Sequence, residues 1–350
     1  MEAVRWITRG RLGGVERAED AEEARDGSAR EDRASNRRRT DEPHRGELET
    51  SVEHHRDVRI IAVPYDSGHP GLRMGAGPEY LLDNGLGVAV RPEDRRPSVT
   101  NVRHVIEPTA EVATAFELHA LVSDQVRHTI AEGGFPLVLS GNCNTAAIGA
   151  MAGAGPEGLG IVWFDAHGEF NTPETTTTGF IDGMGLAIAV GRCWKAMAKG
   201  VPGFAPVPEA NMVMAWVRQL DGAELERLDV SGVAVVGARL IEKQGLQALG
   251  VALDDLSTRV GRVYVHVDLD VLDAEKVGKA NEFAAEGGPD AEELRAALGM
   301  VRERFEVAAA GMASYDPAFD ADRRVLRAAI ASASALTNPT SPLASNGLER

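Results

Sequence analysis

Cysteine is scarce in this sequence, cations are outnumbered, and long apolar runs are missing. Two cysteines in 350 residues cannot build a disulfide framework, so we expect a protein of the reducing cytoplasm. The 37 Lys and Arg against 53 Asp and Glu leave a formal net charge of −16, which argues against nucleic-acid binding and against electrostatic attachment to anionic lipid. No segment offers the roughly 18 apolar residues of a membrane span, and charged residues interrupt the stretch where a signal peptide would be apolar.

The composition is that of a globular chain with a charged extension at its start. Hydrophobic residues make up 43% and charged residues 26% of the sequence, which is enough to bury one sizeable core. Residues 1–57 carry dense mixed charge without an apolar period, so we expect a disordered tail there. Residues 337–350 are rich in Asn, Pro and Ser and indicate a second tail. A single domain is therefore expected over residues 58–336.

Short apolar runs alternate with amphipathic segments inside that domain. The runs predict strands at Val58–Val63, Phe135–Leu139, Gly160–Phe164, Met212–Val217, Val233–Val236, Val263–Leu269 and Val307–Met312. The amphipathic segments predict helices, of which the clearest are Glu117–Ala131, Ala291–Arg304 and Arg323–Ala333. Strands that are apolar on both faces and alternate with helices indicate an α/β fold with a parallel sheet covered on both sides.

Carboxylates and histidines stand at the ends of two of these strands. Because alternate residues of a strand face one way, the sequence predicts two convergent sets, Asp165 with His167 and Glu169, and His266 with Asp268 and Asp270. Ligands of parallel α/β sheets bind beyond the carboxyl ends of the strands. Carboxylates crowded there would repel one another without a cation, and mixed oxygen and imidazole donors suit Mn²⁺, Co²⁺, Fe²⁺ or Zn²⁺. The alternative is that each residue only caps a helix or forms a turn.

Four segments of the domain carry a resemblance to a known family. They are residues 165–179 (DAHGEFNTPETTTTG), 268–273 (DLDVLD), 140–145 (SGNCNT) and 216–224 (WVRQLDGAE). They resemble the motifs DAHxDxNTPxTTxSG, DxDxxDP, GGDHS and GxRDxDxxE of the arginase (ureohydrolase) family, which includes agmatinases and formimidoylglutamases. The resemblance implies a three-layer αβα sandwich with a mainly parallel eight-stranded sheet, and a homo-oligomer, either a trimer or a hexamer.

The resemblance also implies a site with two metal ions. In the family a hydroxide that bridges the two metals attacks a guanidinium carbon, because two cations lower the pKa of a shared water. Carried over by position, Asp165 and Asp268 would bridge the metals, and His167 and Asp270 would complete the shell of one of them. The implied cofactor is Mn²⁺, one or two per subunit, with Co²⁺, Fe²⁺ or Zn²⁺ as other possibilities.

The shell of the second metal departs from the family pattern. The family histidine falls on Cys143 when the alignment is anchored at the preceding strand and on Asn144 when it is anchored at the following helix. The remaining carboxylate falls on Glu169, which is one methylene longer than the family's aspartate. We therefore expect the second site to be weak, empty or retuned. Cys143 would supply a softer donor or would be a buried thiol beside the ligands.

Three positions near the reacting end also bear on the chemistry. The family's proton-relaying loop histidine aligns with Asp182, which could pair with the substrate or act as a general base. The glutamate that steadies the guanidinium aligns with Ser314. His266 stands where the family has a small residue, and it would be either an auxiliary ligand or proton carrier or a buried structural histidine.

The other end of the expected pocket matches the family. Asn171 and Thr178, with Thr176 nearby, match residues that hold the α-carboxylate of an amino acid, and Asp221 matches the residue that takes its α-amino group. The alternative is that Asn171 and the threonines only shape a turn.

These observations predict a metal-dependent hydrolase. It would cleave a C–N bond of a guanidino, amidino or related group in an amino-acid-derived small molecule, through a metal-bound hydroxide. The changes at Asp182 and Ser314 argue against arginase activity itself. The alternatives are a non-catalytic arginase-like binding or regulatory protein with a degraded metal site, and a metalloenzyme with non-hydrolytic chemistry.

Overall fold

The structure, a computed structural model, describes residues 56–91, 97–106 and 110–337. The two predicted tails therefore lie outside the described residues, except at their inner ends. Arg56 donates from Nη2 to the carbonyl of Val307 at 2.8 Å, and the carbonyl of Asp57 accepts from the N–H of Phe135 at 2.8 Å. Residues 56 and 57 thus contact the sheet directly.

Ten strands are present in the described residues. They are β1 Val58–Val63, β2 Tyr65–Asp66, β3 His69–Pro70, β4 Ser98–Asn101, β5 Phe135–Ser140, β6 Leu159–Phe164, β7 Met212–Ala215, β8 Ala234–Val236, β9 Arg262–Asp268 and β10 Glu306–Ala313. Strands β2 and β3 form a small antiparallel hairpin. The other eight form one sheet in the order β4-β1-β5-β10-β9-β6-β7-β8, and every neighbouring pair is parallel. The predicted eight-stranded α/β architecture is confirmed, and the sheet is entirely parallel.

Helices connect the strands and cover both faces of the sheet. They are α1 Gly77–Asp83, α2 Leu86–Ala89, α3 Glu111–Ala131, α4 Cys143–Ala154, α5 Gly185–Ala189, α6 Lys195–Ala198, α7 Gly222–Asp229, α8 Ala238–Gln244, α9 Gln247–Ser257, α10 Ala291–Arg304 and α11 Arg324–Thr337. Short 3-10 turns occur at Arg73–Ala76, Asp182–Met184, Glu209–Asn211, Leu269–Val271 and Pro317–Phe319. No helix within the described ranges combines the length and the apolar composition needed to cross a bilayer.

Strand β4 is the strand of the eight-stranded sheet that the sequence did not predict. All four of its residues are exposed, and Val99 is its one apolar side chain, so the segment shows no buried pattern. It pairs with β1 alone, at the edge of the sheet. Edge strands of this kind are specified by their neighbour more than by their own residues.

The sheet divides the core into two layers, and this division positions the functional residues. Val162 and Phe164 of β6 pack on the face covered by α9, α10 and α11, whereas Trp163 packs on the face covered by α3 and α4. Strands β6, β9 and β10 lie side by side, and Phe164 is level with Val267 while Ala313 is level with Asp268. The residues that follow these strands therefore emerge together, next to the start of α4.

Candidate metal centre and active site

A cavity of about 460 Å³ opens at the carboxyl ends of the central strands. Ten of the residues predicted for the site contribute to its wall, namely His167, Glu169, Asn171, Thr176, Thr178, Asp182, Asp221, Asp268, Asp270 and Ser314. Four others do not appear in that wall: Asp165, Cys143, Asn144 and His266. Asp165 and Cys143 lie beneath the cavity wall, among the carboxylates. Asn144 and His266 point away from the cavity.

The residues after β6 turn their polar atoms toward the cavity. Asp165 is fully buried, and its two carboxylate oxygens accept from the indole N–H of Trp163 at 2.8 Å and the backbone N–H of His167 at 2.7 Å. Nδ1 of His167 lies 3.4 Å from Asp165 and 3.5 Å from Asp270, and its Nε2 lies 3.2 Å from Oε1 of Gln219. Since an amide oxygen can only accept, Gln219 holds the proton on Nε2 and turns Nδ1 toward the carboxylates.

The residues at the ends of β9 and β10 complete the cluster. Oδ1 of Asp268 accepts from the backbone N–H of Asp270 at 2.8 Å, and its Oδ2 accepts from the hydroxyl of Ser314 at 2.7 Å and the thiol of Cys143 at 2.7 Å. Oδ2 of Asp270 accepts from Nδ2 of Asn281 at 3.3 Å. Asp268 and Asp270 are each 3% exposed, so these carboxylates are held in the interior.

Two overlapping sets of donor atoms have the spacing of a metal site. The ligand atoms of Cys143, Asp165 and Asp268 lie within 4.8 Å of one another, as do those of Asp165, His167 and Glu169. Asp165 belongs to both sets. Asp270 joins the second set through His167. The structure thus brings together six of the seven residues predicted as ligands.

The backbone is strained where two of these side chains enter the site. Glu169 and Ser314 have φ angles of 51° and 66°, in the left-handed region that costs a non-glycine residue about 1–2 kcal/mol. The Glu169 carbonyl accepts from the N–H groups of Leu186 and Ala187, which holds the bend. The residues after the strands are therefore fixed in position by their surroundings rather than by their own preference.

Without a cation, the cluster has more carboxylates than positive groups to pair with them. Burial raises the pKa of Asp165, and burial together with neighbouring carboxylates raises the pKa values of Glu169 and Asp268 well above their usual range. Burial would also raise the pKa of Asp270, but the His167 imidazolium outweighs it and lowers that pKa. The same pairing raises the pKa of His167 well above its usual value, although burial opposes it.

Two buried oxygens of the cluster lack a hydrogen-bond donor among the described residues. They are Oε2 of Glu169 and Oδ1 of Asp270. Leaving a buried polar atom unpaired costs about 1–3 kcal/mol, so such atoms normally have a partner. Unpaired, converging carboxylate oxygens are what a divalent cation would bind. The residues present therefore fit the metal that the fold implies.

Asp182 is held at the start of α4 by four donors. Its Oδ2 accepts from Nδ2 of Asn142 at 2.9 Å and the N–H of Cys143 at 3.2 Å, and its Oδ1 accepts from the N–H and Nδ2 of Asn144 at 2.8 and 2.7 Å. Burial raises the pKa of Asp182 to about 6 even though these bonds lower it. Both oxygens are saturated, which is the geometry of a structural anchor.

The two candidates for the family histidine have different surroundings. Oδ1 of Asn144 accepts from Nε2 of His119 at 2.9 Å, and its Nδ2 donates to Asp182, so its carboxamide points away from the carboxylate cluster. The thiol of Cys143 points into that cluster, 2.7 Å from Asp268 and 3.3 Å from Ser314. The structure thus brings Cys143, and not Asn144, to the candidate metal centre.

His266 lies behind the site rather than in it. Its ring stacks on Trp163 with centroids 3.8 Å apart, and its Nδ1 lies 2.9 Å from the hydroxyl of Tyr264. Burial lowers the pKa of His266 to about 3, so the ring is neutral. This environment matches the structural role considered for this residue, and it does not bring the ring to the cavity wall.

The outer part of the cavity is formed by polar groups of one loop and the start of α7. Nδ2 of Asn171 donates to Asp221 at 3.2 Å, and its Oδ1 has no partner in the described ranges. Oγ1 of Thr176 accepts from two backbone N–H groups, of Thr178 and Gly179, and Oγ1 of Thr178 accepts from that of Phe180. The two hydroxyls also lie 3.4 Å apart and share one hydrogen bond, so the threonines shape the loop as acceptors and keep one hydroxyl hydrogen available for a ligand.

Several residues that support the site were not predicted from the sequence. Gln219 and Trp163 each bond one predicted ligand, and Arg218 donates to the carbonyls of Trp216, Asp270, Leu272, Ala285 and Glu286. Glu224 accepts from the N–H of Phe170 and closes a capping box with Asp221. The Asp-x-x-Glu spacing of that box is a readable signal, and Trp163 stands only two residues before Asp165. The contact of Gln219 with His167 and most of those of Arg218 join segments 50 or more positions apart.

Comparisons with known proteins agree with this geometry. The sequence model of the Arginase family matches residues 56–337. Arginase of Bacillus caldovelox is 29% identical over 298 residues, covering 78% of this chain and 95% of that protein, and arginase of Bacillus subtilis (strain 168) is 28% identical over 285 residues with the same coverage. The crystal structure of arginase from Bacillus subtilis superposes with a TM-score of 0.72 and 26% identity, covering 82% of this chain and all of that one.

Proposed function

Because this chain belongs to the arginase family, we propose that it is a metal-dependent hydrolase that cleaves a C–N bond. Its substrate would be an amino-acid-derived small molecule with a guanidino, amidino or related group. The observation that supports this proposal best is the set of buried carboxylates at the cavity floor, where Glu169 and Asp270 each keep one oxygen unpaired within the described chain.

The metal would be held by Asp165, His167, Asp268 and Asp270, with Glu169 and Cys143 completing the donor set. One or two cations per subunit would fit these donors, Mn²⁺ by family resemblance and Co²⁺, Fe²⁺ or Zn²⁺ by their chemistry. A divalent ion bound there would lower the pKa of a coordinated water and so supply a hydroxide nucleophile at neutral pH.

The cavity wall favours a cationic reacting group. Its acidic residues are Glu169, Asp182, Asp221, Glu224, Asp268 and Asp270. The arginine in the wall, Arg218, uses its guanidinium on backbone carbonyls. A cationic amidine or guanidine would therefore be attracted into the cavity and oriented by acceptor groups, with the hydroxyl of Ser314 at the floor.

Asp182 acts in this proposal as a positioning residue. Each of its oxygens already accepts two N–H groups, so a carboxylate with about four acceptor positions has none left for substrate. It orders the start of α4 and contributes negative potential to the wall. Movement of a proton at the reacting end would then depend on groups other than Asp182.

The outer cavity would hold the amino-acid part of the substrate. The hydroxyls of Thr176 and Thr178 and the amide of Asn171 would donate to an α-carboxylate, and Asp221 would accept from an α-amino group. Because these donors are neutral, they would orient a carboxylate without neutralising it.

The test is metal analysis of the purified protein followed by an activity screen. Urea, ammonia or formamide release would be measured over guanidino, amidino and formimidoyl amino-acid derivatives, with each divalent metal added in turn. Asp165→Ala should abolish any activity found. The matched control is Asp255→Ala, which removes an exposed carboxylate of α9 paired with Arg259. Persistence of activity in Asp165→Ala would contradict the proposal.

A second candidate function is a non-catalytic binding or regulatory protein. It is favoured by the saturated carboxylate of Asp182 and by the hydroxyl at Ser314, which supply neither a free base nor a charge partner. This candidate predicts metal-dependent thermal stabilisation by the same compounds without release of any product. Turnover of any of them would exclude it.

The assembly and location that we propose follow from the family and the composition. We infer a homo-oligomer, a trimer or a hexamer, in the cytoplasm. Light scattering after size-exclusion chromatography tests the first inference, and a monomer at micromolar concentration would contradict it.

A further inference from the structure

The two donor sets of the metal centre differ in chemistry. The set of Cys143, Asp165 and Asp268 has two carboxylates and one sulfur, whereas the set of Asp165, His167 and Glu169 has two carboxylates and one imidazole. The first set is entirely buried, and the second faces the cavity through His167 and Glu169. A divalent ion would meet a softer environment in the first set than in the second.

The thiol of Cys143 is aimed at the carboxylates by the fold around it. Cys143 is the first residue of α4 and 1% exposed, and its N–H is fixed by Asp182. Its sulfur lies 2.7 Å from Oδ2 of Asp268 and 3.3 Å from Oγ of Ser314. The oxygen of Asp268 that faces the sulfur thus accepts two hydrogens, from the thiol and from Ser314.

An independent observation indicates that a cation belongs in this carboxylate cluster. Oε2 of Glu169 and Oδ1 of Asp270 are buried without a partner in the described residues. Burial raises the pKa of the Cys143 thiol well above its usual value, and the carboxylates of Asp268, Asp182, Asp165 and Glu169 raise it further. Asp165 belongs both to the set of Cys143 and to the set of Glu169, so a cation held by the first set would lie next to the part of the cluster where these unpaired oxygens are found.

We propose that Cys143 binds a metal ion as a thiolate, together with Asp165 and Asp268, and that this position therefore selects Zn²⁺, Co²⁺ or Fe²⁺ over Mn²⁺. The inference rests on the metal centre of the proposed function. It goes beyond that proposal by assigning a preference among metal ions, which a histidine at this position would not impose. Thiolates favour softer ions, while carboxylates suit Mn²⁺. The thiol proton leaves to solvent as the metal binds.

A direct role of Cys143 as nucleophile fits the structure less well. The side chain is 1% exposed and absent from the cavity wall, so a substrate carbon would have no approach to the sulfur. The sulfur contacts Asp268 and Ser314, and these two residues line the cavity whereas Cys143 does not. Ligation needs no such access.

The first test is the absorption spectrum of the wild-type protein loaded with Co²⁺ after removal of bound metal. A thiolate ligand gives an intense sulfur-to-cobalt charge-transfer band in the near ultraviolet, whereas oxygen and nitrogen ligands do not. We expect the band in wild-type protein, its loss in Cys143→Ser, and its retention in Cys193→Ser. Cys193 is the matched control because it is also buried and belongs to neither donor set.

The second test is competition between Zn²⁺ and Mn²⁺ at equal concentration, followed by metal analysis. Wild-type protein should retain Zn²⁺, and the Zn²⁺ affinity of Cys143→Ser should be at least about tenfold lower. Removing a residue that only hydrogen-bonds a metal ligand already lowers metal affinity by about 10–100-fold, so removing a ligand should cost no less. Circular dichroism of the variant establishes that it is folded.

The outcomes separate this inference from the proposed function. Stoichiometric Co²⁺ binding without the band, or a band that depends on Cys193, would overturn the thiolate inference and leave the hydrolase proposal standing. Equal retention of Mn²⁺ and Zn²⁺ would do the same. Failure of the wild-type chain to bind any divalent ion would overturn both.

Discussion

Two groups of residues form the candidate site, and they use their polar atoms in opposite ways. The strand-end group consists of Asp165, His167, Glu169, Asp268 and Asp270. The helix-start group consists of Asn142, Cys143, Asn144 and Asp182. Two members of the strand-end group keep oxygens unpaired within the described residues, whereas Asp182 of the helix-start group accepts four hydrogen bonds.

The difference follows from what each backbone supplies. The backbone N–H and C=O groups of the strands are hydrogen-bonded within the sheet. They do not need the side chains at the strand ends as partners, so these side chains remain available to a ligand. A helix start leaves its first N–H groups unpaired, and here Asp182 takes those of Cys143 and Asn144. The strand-end group therefore has free acceptors for a ligand, whereas the helix-start group uses its acceptors within the fold, and Cys143 joins the two groups through its thiol, which bonds Asp268.

The largest expected effect is the loss of stability on removing Asp182. Asp182→Ala should lower the free energy of unfolding by about 3–5 kcal/mol, because several buried N–H donors lose their acceptor at about 1–3 kcal/mol each before relaxation. Urea denaturation with a chelator present measures this without a contribution from metal. Asp255→Ala, at an exposed ion pair, should change it by less than about 1 kcal/mol. An equal loss of unfolding free energy in the two variants would contradict a stabilising role for the helix-start group.

The pH dependence of stability should depend on Glu224, which lies under the loop after β6. Burial raises the pKa of Glu224 to about 7, above its usual 4.5. A folded-state pKa that is raised above the unfolded one contributes stability at low pH, and this contribution is lost as pH rises from about 4.5 to about 7. In metal-free protein the unfolding free energy of wild type relative to Glu224→Gln should fall by up to about 3 kcal/mol over that range. A difference that stays constant with pH would contradict this.

Metal binding should stabilise the protein through the strand-end group. At a concentration 100 times the dissociation constant, the metal should add about 2.7 kcal/mol to the unfolding free energy of wild type. Asp268→Asn should lose this gain, while its metal-free stability stays near or above that of wild type because the amide replaces a carboxyl whose ionisation burial and the neighbouring carboxylates already oppose. Thermal melts with and without metal measure both values. A large loss of metal-free stability would show that Asp268 belongs with the structural group.

The smallest expected effect concerns the orientation of His167. Gln219→Ala removes the acceptor at Nε2, so the ring loses the partner that turns Nδ1 toward Asp165 and Asp270. Metal affinity should fall about 10–100-fold. Isothermal titration with Zn²⁺ and Mn²⁺ measures the change, and Gln247→Ala, at an exposed position of α9, is the matched control. Unchanged affinity would mean that the ring is positioned by the carboxylates alone.

The sequence predicted the sheet and the grouping of its strand-end side chains because both depend on short-range patterns. Seven of the eight sheet strands carry apolar runs, and the alternation after β6 and β9 was enough to group Asp165 with His167 and Asp268 with Asp270. Strand β4 was missed because its side chains are exposed. His266 follows the same alternation but ends in an aromatic stack with Trp163, which no local pattern reveals.

Local sequence patterns could not predict which of Cys143 and Asn144 faces the metal centre. The two residues are adjacent and both precede an apolar helix, so either could replace the family's histidine. Their different directions depend on Asp182 and His119, which lie 38 and 25 positions from Asn144 in sequence and bind its amide and carbonyl groups. Contacts over such separations are decided by packing.

The amino-acid sequence by itself determined the parallel sheet, the family, and the acidic strand ends that could hold a metal, because periodicity and motif spacing are properties of neighbouring residues. The tertiary structure alone decided that Asn144 turns away while Cys143 faces Asp268, and that Asp182 is an anchor. It did so because buried hydrogen-bond donors must each find an acceptor, and the acceptor nearest in space is often far along the chain.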